Sequence, residues 1–140
     1  MPLVRISLPA GKGSAYRTDV SNQVYQAMRE TLNIPDGDRF QVITEHSGGT
    51  LVADPNFMGM TRSSDFILIQ IFLSRGRTTE AKQALYRAVA QRLATSPGIR
   101  PEDVMIVLTE VGLDDWSFGL GEAQYVLNPP AWARKDKVPT

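Results

Sequence analysis

The feature that most constrains this fold is an internal repeat with an offset of 65 residues. LVRISL at 3–8 aligns with LIQIFL at 68–73, and NIPDGDRFQVITE at 33–45 aligns with GIRPEDVMIVLTE at 98–110. Ile34 then meets Ile99, and Asp38 meets Asp103. Between these blocks Val20, Val24 and Met28 fall on Leu85, Val89 and Leu93, an i, i+4, i+8 stripe along one side of a helix. Each half therefore reads strand, helix, strand. The first has strands at 2–8 and 39–46 around a helix at 14–32; the second has strands at 66–73 and 103–110 around a helix at 78–95. A crossover helix joins parallel strands. Two such units predict an α+β fold, a four-stranded mixed sheet with both helices on one face. The opposite face keeps apolar side chains, which predicts self-association.

Both repeats, about 2–46 and 66–110, fit in one domain at 1–126, with 127–140 as a C-terminal tail. The connector at 47–65 is Gly-rich, with room for a short strand. The tail, LNPPAWARKDKVPT, is Pro-rich and basic and is expected to wrap a neighbour or fray. Fifteen basic residues balance fifteen acidic ones, so no bulk positive field draws nucleic acid or an anionic membrane. There are no cysteines, which excludes disulfides, thiolate nucleophiles and Cys-ligated metals. The single histidine, His46, leaves no His-rich metal site and is expected to end a strand. The apolar stretch after Met1 is too short for a secretory signal, and no run approaches membrane-spanning length. The expectation is a cytoplasmic protein.

The halves differ at positions that carry chemistry. Pro2 falls on Ile67, so only one half offers an amine. Proline suits the first position of a strand. It is also a small second residue that permits removal of Met1, which leaves its ring nitrogen a free secondary amine. SRGRTTE at 74–80 falls on PAGKGSA at 9–15, so Arg75 and Arg77 replace Ala10 and Lys12. They lie between a strand and a helix that Thr78 or Thr79 caps, with Glu80 in its first turn. Solvated loop arginines fit that pattern; so does a carboxylate cradle of two guanidinium forks at a helix N-terminus. Asp38 in PDGDRF reads as a turn carboxylate, as its mate Asp103 does, or as an acid beside Pro2 at adjacent strand ends. Trp116 and Phe118, one residue apart, project to one side of an extended segment. They either pack the tail on the core or wall a pocket. GKGSAY and GLGEAQ lack the context of a dinucleotide fingerprint.

MPL at the start, DRFQVITEH at 38–46, RSSDFILI at 62–69, LSRGRTTEAK at 73–82 and DWSFGLGEAQYV at 115–126 together resemble the tautomerase superfamily. Within it they are most similar to the malonate semialdehyde decarboxylases, over roughly residues 2–126. The resemblance implies a homotrimer of β-α-β repeats that needs no cofactor or metal. It implies Pro2 as the catalytic amine, Asp38 as the catalytic aspartate, and Arg75 and Arg77 as catalytic groups that bind the substrate carboxylate. Trp116, Phe118 and Tyr125 become the apolar, substrate-binding wall. Two departures stand out. Gly76 separates the arginines where the decarboxylases carry proline, and Tyr125 stands where phenylalanine is expected.

The activity implied is decarboxylation of a small 3-oxo acid such as malonate semialdehyde, with a hydratase side activity. The same residues fit a keto–enol tautomerase of a 2-oxo acid. A trimeric binding scaffold with a vestigial proline is the non-enzymatic alternative, against which the paired arginines argue. An RNA-binding split β-α-β domain lacks the aromatic sheet motifs and positive charge it needs.

Overall fold

The computed structural model describes residues 2–134, so Met1 and the last part of the tail lie outside it. Strands β1 (Pro2–Pro9), β2 (Phe40–His46), β3 (Ile67–Ser74) and β4 (Val104–Val111) alternate with helices α1 (Ser14–Leu32) and α2 (Thr79–Thr95) as the repeat requires. A short helix, α3 (Gln124–Leu127), follows. The sheet order is β2-β1-β3-β4; β1 is parallel to β2, β3 is parallel to β4, and β1 and β3 meet antiparallel. This is the mixed sheet that two joined β-α-β units demand.

Alternation decides which residues enter the core. Val4, Ile6 and Leu8 of β1 and Ile67, Ile69, Ile71 and Leu73 of β3 are buried. They meet Val20, Val24 and Met28 of α1 and Leu85, Val89 and Leu93 of α2. The two helices are tied to each other where Arg92 bonds Glu30 and Gln23. Thr78 caps α2, its hydroxyl oxygen accepting the Ala81 N–H at 3.1 Å. On α1 the chain leaves through Asn33 in the left-handed region, a conformation asparagine tolerates.

The opposite sheet face stays open in a single chain. Phe40 (52% exposed), Val42 (48%), Met105 (49%) and Val107 (41%) stand on it. Leu3, Leu68 and Phe72, in register beside them, are half-buried.

Among the described residues the connector, which has room for a short strand, forms none and makes a 3-10 turn at Phe57–Gly59. Met58 sits at φ +60°, which breaks extended backbone, and the Arg62 guanidinium donates to the Phe57 carbonyl at 2.8 Å. The connector is anchored by Asp103. This fully buried carboxylate accepts the Ser63 N–H at 2.7 Å and the Ser63 hydroxyl at 2.6 Å. Among the described residues no helix is long and apolar enough to cross a membrane.

Candidate active site

Strand register assembles the site. Pro2 pairs with Leu73 at the end of β3, and Leu3 pairs with Phe40 at the start of β2. Pro2 therefore lies between two segments: the turn Ser74–Arg77 that leaves β3, and the approach Asp38–Arg39 that leads into β2. A cavity of about 920 Å³ opens at this end of the sheet, and Asp38, Ser74, Arg75, Arg77 and Tyr125 line it. Pro2 is buried beside it and is not one of its lining residues.

The turn Ser74–Arg77 is held from several sides. The Arg75 N–H donates to the Val111 carbonyl at 3.0 Å, extending the β3–β4 ladder by one residue. Gly76 has φ +122°, a backbone region that side-chain-bearing residues rarely adopt and proline's ring forbids. The Arg77 guanidinium donates to the Ser74 carbonyl at 3.0 Å. The Ser74 hydroxyl oxygen accepts the Trp116 indole N–H at 3.1 Å. Beside Arg75, Gly112 is closely approached: a Cβ built there stands 2.8 Å from the Asp114 carboxylate, whose exposed side chain would have to shift, and 3.7 Å from the Arg75 guanidinium.

Charge and burial act together on this wall. Burial lowers the Arg77 pKa, while Tyr125, Glu110 and Asp38 act to raise it. Glu110, hydrogen-bonded to Lys82, is held below the usual carboxylate range. Burial pushes the Tyr125 phenol up; Asp38 adds to the rise and Arg77 opposes it.

The aromatic residues form a chain of contacts. Trp116 stacks on Phe118 at 5.5 Å, Phe118 meets Tyr125 edge-on at 4.7 Å, and Tyr125 meets Trp132 edge-on at 6.1 Å. Tyr125 and Trp132 line the cavity, whereas Trp116 and Phe118, expected in its wall, do not: Phe118 packs on Tyr125, and Trp116 packs on Phe118 and bonds Ser74. The segment expected to wrap a neighbour or fray instead lies, through Pro130, Trp132 and Ala133, over the chain's own cavity. The rest of that expectation, at 135–140, falls outside the described residues.

The family model for the tautomerase enzymes matches residues 38–119. Probable tautomerase YusQ of Bacillus subtilis (strain 168) is 39% identical over 126 residues, covering 90% of this chain and 99% of that one. The chain belongs to the tautomerase family. Among solved structures it resembles FG41 malonate semialdehyde decarboxylase inhibited by 3-bromopropiolate, with a TM-score of 0.86 and 38% identity over 92% of this chain and 98% of that one. A second malonate semialdehyde decarboxylase, described with decarboxylase and hydratase activities, has a TM-score of 0.83 and 30% identity over 89% of this chain and 96% of its own.

In this tautomerase-family chain the repeat also produces a second cavity, of about 660 Å³, at the other end of the sheet. Its lining includes Pro9, Ala10, His46, Ser47 and Gly48, the repeat mates of Ser74, Arg75, Val111, Gly112 and Leu113 around the first. Ala10 there has no charge, and Lys12, the mate of Arg77, is ion-paired with Asp65 at 2.6 Å. His46 closes β2 as expected; its carbonyl accepts the Ala10 N–H at 2.7 Å, and its ring Nδ1 lies 3.2 Å from the Thr50 hydroxyl. Only the first cavity has two guanidinium groups in its wall.

Most of the remaining lining residues carry no site signal in the sequence, Ser74 and Trp132 among them. Ser74 is buried next to buried Leu73, a break in the strand's alternation that only the structure shows. Trp132, inside NPPAWA, carries no periodic signal at all. Among the described residues no group of three or more His, Cys, Asp or Glu side chains is arranged to hold a metal.

The upward shift at Tyr125 is testable. A phenol gains charge on losing its proton, so burial keeps it neutral to higher pH. In an ultraviolet titration of wild type minus Tyr125→Phe, the missing phenolate step is expected above the ordinary tyrosine value of about 10. A step at or below that value contradicts the buried setting.

Proposed function

We propose that this tautomerase-family enzyme decarboxylates a small 3-oxo acid, with malonate semialdehyde as the simplest case, and that Pro2 acts as a free amine after loss of Met1. One observation carries the reading: Asp38, Arg75 and Arg77 line one cavity at the sheet end where strand register holds Pro2. The likeness to two malonate semialdehyde decarboxylases supports it.

In this scheme Arg75 and Arg77 grip the carboxylate. Binding alone stabilises the ground state and accelerates nothing. The arginines contribute by orientation, turning the breaking C–C bond perpendicular to the carbonyl plane. That bond breaks, CO2 leaves, and its electron pair passes through the α-carbon to the carbonyl oxygen. Protonated Pro2 donates a hydrogen bond to this developing enolate oxygen. A proton from solvent then adds to the α-carbon, which yields acetaldehyde from malonate semialdehyde and leaves Pro2 protonated. The apolar wall of Tyr125, backed by Trp116 and Phe118, favours neutral CO2 over the charged carboxylate. Asp38 orients Pro2 and activates water for the hydratase side reaction.

The assembly proposed is a homotrimer, with the outer sheet face as its contact surface. Phe40, Val42, Met105 and Val107 form an apolar surface too exposed to suit an isolated chain.

Two measurements test these points. In a coupled assay for acetaldehyde, Pro2→Ala is expected to lower kcat by about 100-fold or more, as loss of an oxyanion donor does. Arg75→Ala and Arg77→Ala are expected to raise KM as well as lower kcat. Undiminished turnover by Pro2→Ala removes the scheme, and faster enolisation of a 2-oxo acid by wild type moves the assignment to a tautomerase. Sedimentation equilibrium is expected to give three times the 15.5 kDa chain mass, falling when Met105 and Val107 are both changed to lysine. A monomeric wild type contradicts the trimer.

A further inference from the structure

The cavity is large for a three-carbon acid. At about 920 Å³ it sits near the top of the ~300–1,000 Å³ range of pockets that hold drug-sized ligands. Its charged contributors, Asp38, Arg75 and Arg77, come with Ser74 from the approach to β2 and the turn after β3, and Asn33 adds a further polar group beyond α1. Apolar contributors come from elsewhere: Leu32 at the end of α1 and Ile34 just past it, Leu113 after β4, and Pro130 and Trp132 beyond α3. Tyr125 joins the two groups, since it feels the charges of Asp38 and Arg77 while its ring meets Trp132. A ligand anchored at the arginines and long enough to pass Tyr125 reaches Trp132.

Trp132 is held ready for such contact. It lies in the 3-10 turn Ala131–Ala133, clasped by Arg134, whose side chain donates to the Pro129 carbonyl at 2.9 Å and to the Asn128 side-chain oxygen at 3.0 Å. Trp132 as a residue remains 55% exposed although it lines the cavity. A three-carbon acid leaves that apolar surface wet, whereas a ring beyond the carbonyl covers it.

We propose that the site takes 3-oxo acids with an aryl or similarly bulky apolar group on the carbonyl, and that Trp132 is the specificity-determining residue. This rests on the carboxylate-binding reading of Arg75 and Arg77. Two probe pairs separate it from the decarboxylase assignment: 3-oxo-3-phenylpropanoate against malonate semialdehyde as substrates, corrected for uncatalysed loss, and 3-phenylpropanoate against propanoate as calorimetric ligands. In wild type the phenyl member of each pair is expected to lead by about 10-fold or more, in kcat/KM and in Kd, as burial of a phenyl group warrants. Trp132→Ala is expected to cut that lead to about threefold or less, whereas Trp132→Phe keeps most of it. Equal binding of the two ligands, or an equal loss for both substrates in Trp132→Ala, overturns the inference. Tight 3-phenylpropanoate binding without decarboxylation of either oxo acid sinks the decarboxylase assignment and leaves this inference standing. Malonate semialdehyde turnover without a phenyl preference does the reverse.

Discussion

The antiparallel pairing of β1 with β3 is the contact on which the rest depends. Its register sets Pro2 opposite Leu73, one residue before the turn that carries Arg75 and Arg77. That register is protected by the core. Strand side chains alternate, so a one-residue slip of β1 turns Val4, Ile6 and Leu8 away from the helices. Each fully buried aliphatic side chain is worth about 1.5–3 kcal/mol against exposure, so the slip costs several kcal/mol. Position at the candidate site is thus inherited from hydrophobic packing some distance away, and the turn needs only local hydrogen bonds to aim its arginines.

The duplicated scaffold builds two similar sheet ends, and the chain equips them differently. At one end a serine and two arginines stand in a wall of aromatic rings. At the other, Pro9 and Ala10 take the places of the serine and the first arginine, Lys12 is ion-paired with Asp65, and the connector supplies much of the lining. The two repeat-related aspartates diverge in the same way. Asp103 is spent on Ser63, a residue outside both repeats, while Asp38 lines the larger cavity beside arginine and tyrosine. A symmetric fold is thereby divided into an end that carries candidate chemistry and an end that anchors the connector.

Much of this was legible in the sequence because apolar periodicity repeats. The stripe of Val20, Val24 and Met28 and its copy at Leu85, Val89 and Leu93 placed both helices, and the alternation around Val4 and Ile69 placed the central strands. Asp38, Arg75, Arg77 and Tyr125 were singled out from asymmetry and resemblance, and they meet in one cavity. What stayed hidden depends on contacts distant in the chain. Asp38 and Asp103 look alike until Ser63 arrives from the connector. Trp132 is placed by its ring contact with Tyr125 and by the Arg134 clasp, neither of which leaves a periodic trace. The connector's missing strand follows from the left-handed backbone at Met58, an uncommon conformation for methionine that no pattern announces.

The central claim is that the Pro2 ring nitrogen is unblocked and within reach of an acid held by two guanidinium groups. It is tested most directly by an electrophile that carries its own carboxylate. Incubation with 3-bromopropiolate, followed by mass spectrometry of the amino-terminal peptide, is expected to show one adduct on Pro2 with Met1 absent. Arg75→Ala and Arg77→Ala are expected to slow its formation, and the uncharged methyl ester to react without regard to either arginine. An intact Met1, or an adduct confined to other residues, contradicts the account.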